Sequence, residues 1–248
     1  MIRRSVPGVP SPGSSHCKPF PLLATVPKPV LWMWCRATSR PIGGARGSME
    51  NHQPVAVAPL DRISIVSYKE EWSHEYLKII QLLRPAFRNS VIFHHIGSTA
   101  IIGMSAKDII DIQATVTSLD EIETNYLFQH GFRERTGLSD HPPAGREVHP
   151  RELIKRFFRG TIRPANLHVR LNGNFNQRYP LLCRDYLRTH PVSAASYQLI
   201  KERLASWFPD DADRYYDVKD PLFDVIMDGA EAWAKLVEWR VPDGDTSE

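Results

Sequence analysis

The residue types best suited to chemistry fall between His94 and Ile112. An apolar run ends at Gly97-Ser98, a helix start is predicted at Thr99, and a second apolar run carries Asp111. Free backbone N–H groups where a Gly-Ser turn opens a helix form an anion site, aided by the helix dipole. Gly97 would let a phosphate approach the backbone, and the Ser98 hydroxyl would add a hydrogen bond. An ordinary strand-to-helix turn capped by Thr99 has the same spelling. Asp111 is expected on a strand, on the face opposite the apolar alternation. A carboxylate beside a phosphate turn suits Mg²⁺ bridging to phosphate oxygens. That chemistry usually takes acids at i and i+2, and here the i+2 residue is the neutral Gln113. Asp108 lies three residues away and reads as a solvated turn residue.

A second constellation is Asn166-Leu167-His168-Val169-Arg170. A period of two puts Asn166, His168 and Arg170 on one face. Were this strand next to that of Asp111, all would share a cleft. Arg170 would suit phosphate as a bidentate donor. His168 could be a base, a metal ligand or a hydrogen-bonded structural histidine. Of His94 and His95, at most one can face the cleft, because neighbouring strand residues point opposite ways. Lys155, Arg156, Arg159 and Arg163 form either a phosphate-facing wall or the solvated side of a hairpin. The sequence has no P-loop, GxGxxG, CxxC pair, HExxH or GxSxG.

These groups need a scaffold, and 248 residues with 42% hydrophobic and 10% aromatic content can bury a core. Residues 1–48 differ from the rest, with eight prolines, seven basic residues and no acid. Without them, 24 basic residues face 28 acidic ones, so the body carries about −4 and the net charge of +3 belongs to the leader. That balance disfavours a nucleic-acid partner. Residues 1–60 are expected to be a disordered Pro/Arg-rich leader. It is either an organellar, mitochondrial targeting segment or an upstream stretch ahead of a true start at Met49. Without such targeting, the compartment expected is the cytoplasm. Three cysteines, two of them in the leader, give no disulfide scaffold and fit a reducing interior. No apolar run is long enough for a membrane helix.

Residues 61–240 are expected to form one domain, with 241–248 a polar tail. Ile63 and Ile65 alternate as a short strand. Trp72, Tyr76, Ile79, Ile80 and Leu83 take helical spacing that ends near Pro85. Val91–Ile96 and Ile109–Val116 read as strands, the second with Ile110, Ile112, Ala114 and Val116 on one face. A helix is predicted over Leu119–His130, capped by Ser118 or Asp120 and stopped by Gly131. A short strand over Phe132–Arg135 precedes a long loop, Thr136–Pro150. Strands at Leu153–Phe158 and Asn166–Leu171 follow, and three helical stripes fill the chain from Phe175 on. The class is α+β with a mixed sheet.

The run His95-Ile96-Gly97-Ser98-Thr99-Ala100, with Gly103, Ala106-Lys107 and Ile109-Ile110-Asp111-Ile112, closely resembles the signature of the GrpB family. Tyr68, Trp72, Leu167-His168-Val169, Arg184–Arg188, His190-Pro191, Tyr197, Lys201, Tyr215, Lys219 and Trp233 match in order. That family looks like a branch of the polymerase-β-type nucleotidyltransferases. The resemblance implies a nucleotidyltransferase-like mixed β-sheet flanked by helices, with a helical C-terminal part and a cleft over the sheet's centre. It implies phosphate binding by Gly97 and Ser98, which the residue reading extends to the Thr99 backbone and Arg170. Asp111 would be the first acid and the Mg²⁺ ligand, acting with His168 and Lys107 as the catalytic set. The sequence departs from the family pattern at His94, Ile102 and Asp108, and Gln113 replaces the second acid of active nucleotidyltransferases. Two functions follow. One is transfer of a nucleotidyl group from an NTP to a small acceptor. The other is a non-catalytic module, with a degenerate metal site, that binds a nucleotide or phosphometabolite. The partner is in both cases a small molecule or nucleotide.

Overall fold

The structure, a computed structural model, describes residues 62–245. The expectations for residues 1–60 lie outside them, as do the last three residues of the polar tail. Five strands form one sheet: β1 (Ile92–Ile96), β2 (Ile110–Val116), β3 (Phe132–Glu134), β4 (Lys155–Gly160) and β5 (Ala165–Leu171). Their spatial order is β1-β2-β5-β4-β3. β2 and β5 run parallel and every other pair is antiparallel, so the sheet is mixed. β2 lies between β1 and β5 and sets the register of both neighbours: Ile96 lies opposite Asp111, and Asn166 lies beside it.

The two sheet faces carry different chemistry. On one, Ile110, Ile112, Ala114 and Val116 join Leu167 and Val169 under helix α1 (Glu71–Leu83). Trp72, Tyr76, Ile80 and Leu83 recur at three- and four-residue intervals and are buried there. Helix α2 (Thr124–Gln129) closes the same layer with Leu127. On the other face lie α3 (Phe175–Thr189), α4 (Pro191–Trp207) and α5 (Ala212–Leu236). Their apolar stripes pack mainly on one another, through Leu182, Leu187, Tyr197, Ile226 and Ala230. The sheet beneath them is polar, with Gln113, Asn166, His168 and Arg170 all buried.

Three expectations are corrected. Ile63 and Ile65 do not start a strand; the segment is extended and makes a single bridge, Val66 to Ala106. The helix over Leu119–His130 is broken into a 3-10 turn at Leu119–Glu121 and α2, with Ile122 buried between them. Asp108 is not merely solvated. It accepts hydrogen bonds from the buried indole of Trp72 at 2.8 Å, from Lys69 at 2.8 Å and from Arg163 at 2.5 Å. Burial raises its carboxyl, but these donors outweigh it and hold it at about 2. The described part of the polar tail is tied to the sheet. The Asp245 N–H donates to the Phe93 carbonyl at 2.9 Å, and its carboxylate accepts from the His95 N–H and from Arg184. The tail thereby covers the outer edge of β1, where unpaired backbone groups would otherwise be exposed.

The basic cluster of the β4–β5 hairpin also divides. Arg156 pairs with Glu134, Arg163 with Glu75 and Asp108, and Lys155 with Asp140. Arg170, only 1% exposed, meets Asp140 at 2.9 Å. Removing one partner of a buried ion pair leaves an uncompensated charge. Asp140→Ala is expected to lower the unfolding free energy by about 3–5 kcal/mol, read as a shift in the urea midpoint. An unshifted midpoint would contradict this account of the polar face.

Candidate functional site

β1 ends at Gly97, whose backbone takes φ +73°. That value suits glycine. A Cβ there would lie 2.5 Å from Oδ2 of Asp111. The β1–β2 register therefore presses the Gly-Ser turn against the carboxylate, and glycine alone permits the approach. The residues after it form a single 3-10 turn, Ser98–Ala100, instead of the expected helix. With one turn there is no macrodipole to hold an anion, so the charge must come from side chains. Thr99 is buried and its hydroxyl is hydrogen-bonded with His95 at 3.0 Å.

Gly97, Ser98, Lys107 and Asp111 line one cleft, whose walls come from α3, α4 and α5. It is a concave site lined by apolar, aromatic and charged side chains together, the kind of lining that small-molecule sites have. Asp111 is the acid among its described lining residues, against Lys107, Lys201, Lys219 and Arg184. Two of these cations are already balanced: Arg184 by Asp185 and Asp245, and Lys219 by Asp220 at 2.8 Å. Lys107 and Lys201 make no ion pair among the described residues. Lys107 donates to the Tyr216 hydroxyl. Lys201, 3% exposed, donates to Ser98 Oγ and to the Ser105 carbonyl, each at 2.8 Å. Burial, with the charges of Lys219 and Lys107, lowers the Lys201 ammonium to about 7.

Asp111 is fixed from beneath. Asn166 donates to its Oδ1 at 2.8 Å, and His168 Nε2 lies 3.9 Å from the same oxygen. Burial pushes the carboxyl up, but His168, Asn166 and Lys107 outweigh it, and the group sits below its ordinary value. His168 is fully buried, and burial plus Arg170 lowers its imidazole to about 4. It is neutral at pH 7. Nη2 of Arg170 lies 3.4 Å from its Nδ1, so Nδ1 accepts and the Nε2–H faces Asp111.

Sequence reasoning brought Asp111, Ser98, Gly97 and Lys107 together, and the structure does the same. Two expected members stand elsewhere. His168 and Arg170 share the expected face but do not line the cleft; His168 lies behind Asp111, and Arg170 lies deeper, held by Asp140 and Gln113. Neither His94 nor His95 reaches the cleft. His94 is bonded to the Pro242 carbonyl, and His95 stacks on Tyr76 at 4.8 Å. The sequence offers Lys201, Lys219, Tyr197 and Tyr215 only as family matches without a role, and it does not single out Tyr216. Their signal was a lysine on an apolar stripe: Tyr197, Lys201 and Leu204 share one face of α4, and a lysine there cannot be solvated.

Magnesium binds through hard oxygens, commonly one or two carboxylates plus substrate phosphates. Here Asp111 is the single lining carboxylate. Gln113 is turned into the interior, accepting from Arg170 at 2.8 Å and donating to the Gln177 carbonyl at 2.9 Å. Among the described residues no three His, Cys, Asp or Glu side chains converge as a metal site. This donor set does not fit a metal pair, and lysines occupy the neighbouring positions instead.

Residues 62–229 match the family model described as GrpB protein. The chain belongs to the GrpB family. A crystal structure of the conserved protein GrpB from Enterococcus faecalis aligns with TM-score 0.56 at 26% identity, covering 68% of this chain and 99% of that one. The UPF0157 protein YqkA of Bacillus subtilis is 31% identical over 180 residues, 71% of this chain and 50% of its own length. A protein of Mycobacterium tuberculosis named dephospho-CoA kinase is 29% identical over 197 residues, 71% of this chain and 48% of its own. The chain thus spans about half the length of these two curated relatives. No described helix is long and apolar enough to cross a membrane.

In this GrpB fold the Gly97–Asp111 approach gives a direct test. Gly97→Ala adds a Cβ at a strained φ and against Asp111, so stability should fall by about 1–3 kcal/mol. Chemical denaturation reads this, and an unchanged midpoint would show that the turn tolerates the methyl.

Proposed function

We propose that this GrpB-family chain binds a phosphorylated small molecule or nucleotide in the lysine-lined cleft, with lysine in place of the usual metal pair. One observation carries the reading. Lys107 and Lys201 face the Gly97-Ser98 turn without an ion pair among the described residues. Lys201 is buried, and a buried ammonium needs a counter-charge, which an anion in the cleft would supply. Tyr197, Tyr215 and Tyr216 on the same walls offer apolar surface to the rest of the ligand.

Calorimetry with ATP, other NTPs and dephospho-CoA tests this, in EDTA and in Mg²⁺. The last joins because of the name of the mycobacterial relatives. Binding should persist in EDTA. Lys107→Met should weaken it about 10- to 100-fold, the value of a charged hydrogen bond. No binding of any phosphate ligand would overturn the proposal. Nucleotidyl transfer is the second reading, favoured by an ionised Asp111 beside the Ser98 hydroxyl. It takes precedence if binding requires Mg²⁺ and a product forms that Asp111→Ala abolishes.

Affinity should also depend on pH. The charged form of Lys201 attracts the anion, so affinity is full below about 7, where the ammonium is protonated. Above that value binding must take up a proton, and affinity should fall up to tenfold per pH unit until the bound-state value is passed. A flat profile between pH 6 and 9 would remove Lys201 from the binding set.

A further inference from the structure

Ser98 and Lys201 form a pair that phosphate binding does not require. Their Oγ and Nζ atoms are 2.8 Å apart, within the reach expected of a nucleophile and its base. Ser98 is half-buried at the cleft floor, and Lys201 is sealed behind it. The Tyr197 phenol is also hydrogen-bonded with Ser98, and its ring lies 4.8 Å from Lys201 Nζ. As a neutral amine Lys201 keeps one N–H on the Ser105 carbonyl and turns its lone pair to the Ser98 hydroxyl. The serine proton is then shared between Tyr197 and Lys201, with no carboxylate in contact with either atom.

We propose that Ser98 is a nucleophile and Lys201 its general base, acting on a phosphorus electrophile, a phosphate ester or anhydride. Lys107 would hold its remaining charged oxygens. This ligand class rests on the phosphate-binding reading given above. Ser98 Oγ forms the bond to phosphorus and passes its proton to the Lys201 amine. The bond from phosphorus to the leaving oxygen breaks, and that oxygen departs with the proton from Lys201. Water, deprotonated by the same amine, then attacks the phosphoserine; the bond from phosphorus to Ser98 Oγ breaks, Oγ takes the proton back from Lys201, and the freed phosphate leaves. The step needs Lys201 neutral in part at neutral pH, which its surroundings provide. Lys107 from the loop before β2 and Lys219 from α5 repel a charge there, opposed by Asp111 on β2 and Glu202 on α4 itself.

Diisopropyl fluorophosphate tests the nucleophile without needing the natural ligand. An attacking serine oxygen displaces fluoride from its phosphorus, and the serine proton leaves through the base. Full-length protein should take one diisopropylphosphoryl group, located on Ser98 by peptide mass spectrometry. The rate should rise about tenfold per pH unit below about 7 and level off above it. Ser98→Ala should take no label. Lys201→Met should react about 100-fold more slowly and recover in added methylamine. The wild-type pH profile needs no variant, so a misfolded Lys201→Met would not rescue the idea. No adduct, an adduct elsewhere, or a rate indifferent to pH across 5–9 would overturn it. Calorimetry with ATP on the same wild-type sample separates the two proposals. ATP binding without an adduct removes the nucleophile alone, and an adduct without ATP binding keeps the nucleophile and removes the ligand class.

Discussion

The guanidinium of Arg170 is the interaction on which the polar half of the molecule depends. It sits 1% exposed in the middle of the sheet, where an unpaired charge could not be tolerated. Asp140 answers it at 2.9 Å, and Lys155 and Asn176 hold Asp140 in turn. Asp140 stays ionised despite its burial because of Arg170 and Lys155. This pairing draws in the long loop that carries Asp140, and so closes one end of the helical layer. It also consumes Gln113, whose carbonyl oxygen accepts from Arg170. The residue at the second-acid position thus serves the interior and not the cleft.

From Arg170 the order passes outward. Its contact with His168 selects the tautomer whose N–H faces Asp111, and Asp111 in turn packs against Gly97. The carboxylate is therefore held chiefly from the sheet, by His168 and Asn166, with Lys107 adding its charge from the cleft. That leaves Lys107 and Lys201 with neutral oxygen partners, Tyr216, Ser98 and Ser105. A site built this way places strong positive charge beside a hydroxyl on a rigid turn. Under the proposed function it would capture an anion, with Ser98 facing what is held.

Much of this was legible one strand at a time. The alternation of Ile110, Ile112, Ala114 and Val116 placed Asp111 and Gln113 on the opposite face, and the sheet agrees. Trp72, Tyr76, Ile80 and Leu83 placed α1, and Gly131 stops α2 with φ +81°. Local pattern failed where a long-range partner overrode it. Ile122 is buried between two helical pieces and breaks the predicted helix there. Asp108 looked solvated because nothing nearby in sequence shows Trp72 and Arg163 converging on it.

The sequence by itself determined which residues share a face, because that follows from backbone periodicity alone. It also carried the family signature around Gly97 and Asp111, which the GrpB match over residues 62–229 supports. Only the tertiary structure decided which member of a face meets solvent and which is buried under a neighbour. Asn166, His168 and Arg170 alternate identically, yet the first lines the cleft, the second lies behind Asp111, and the third is sealed by Asp140. The same holds for Lys201, a surface residue by composition that becomes the buried partner of Ser98 where α4 meets the turn after β1. Depth and pairing depend on contacts between residues far apart in the chain, and periodicity does not encode them.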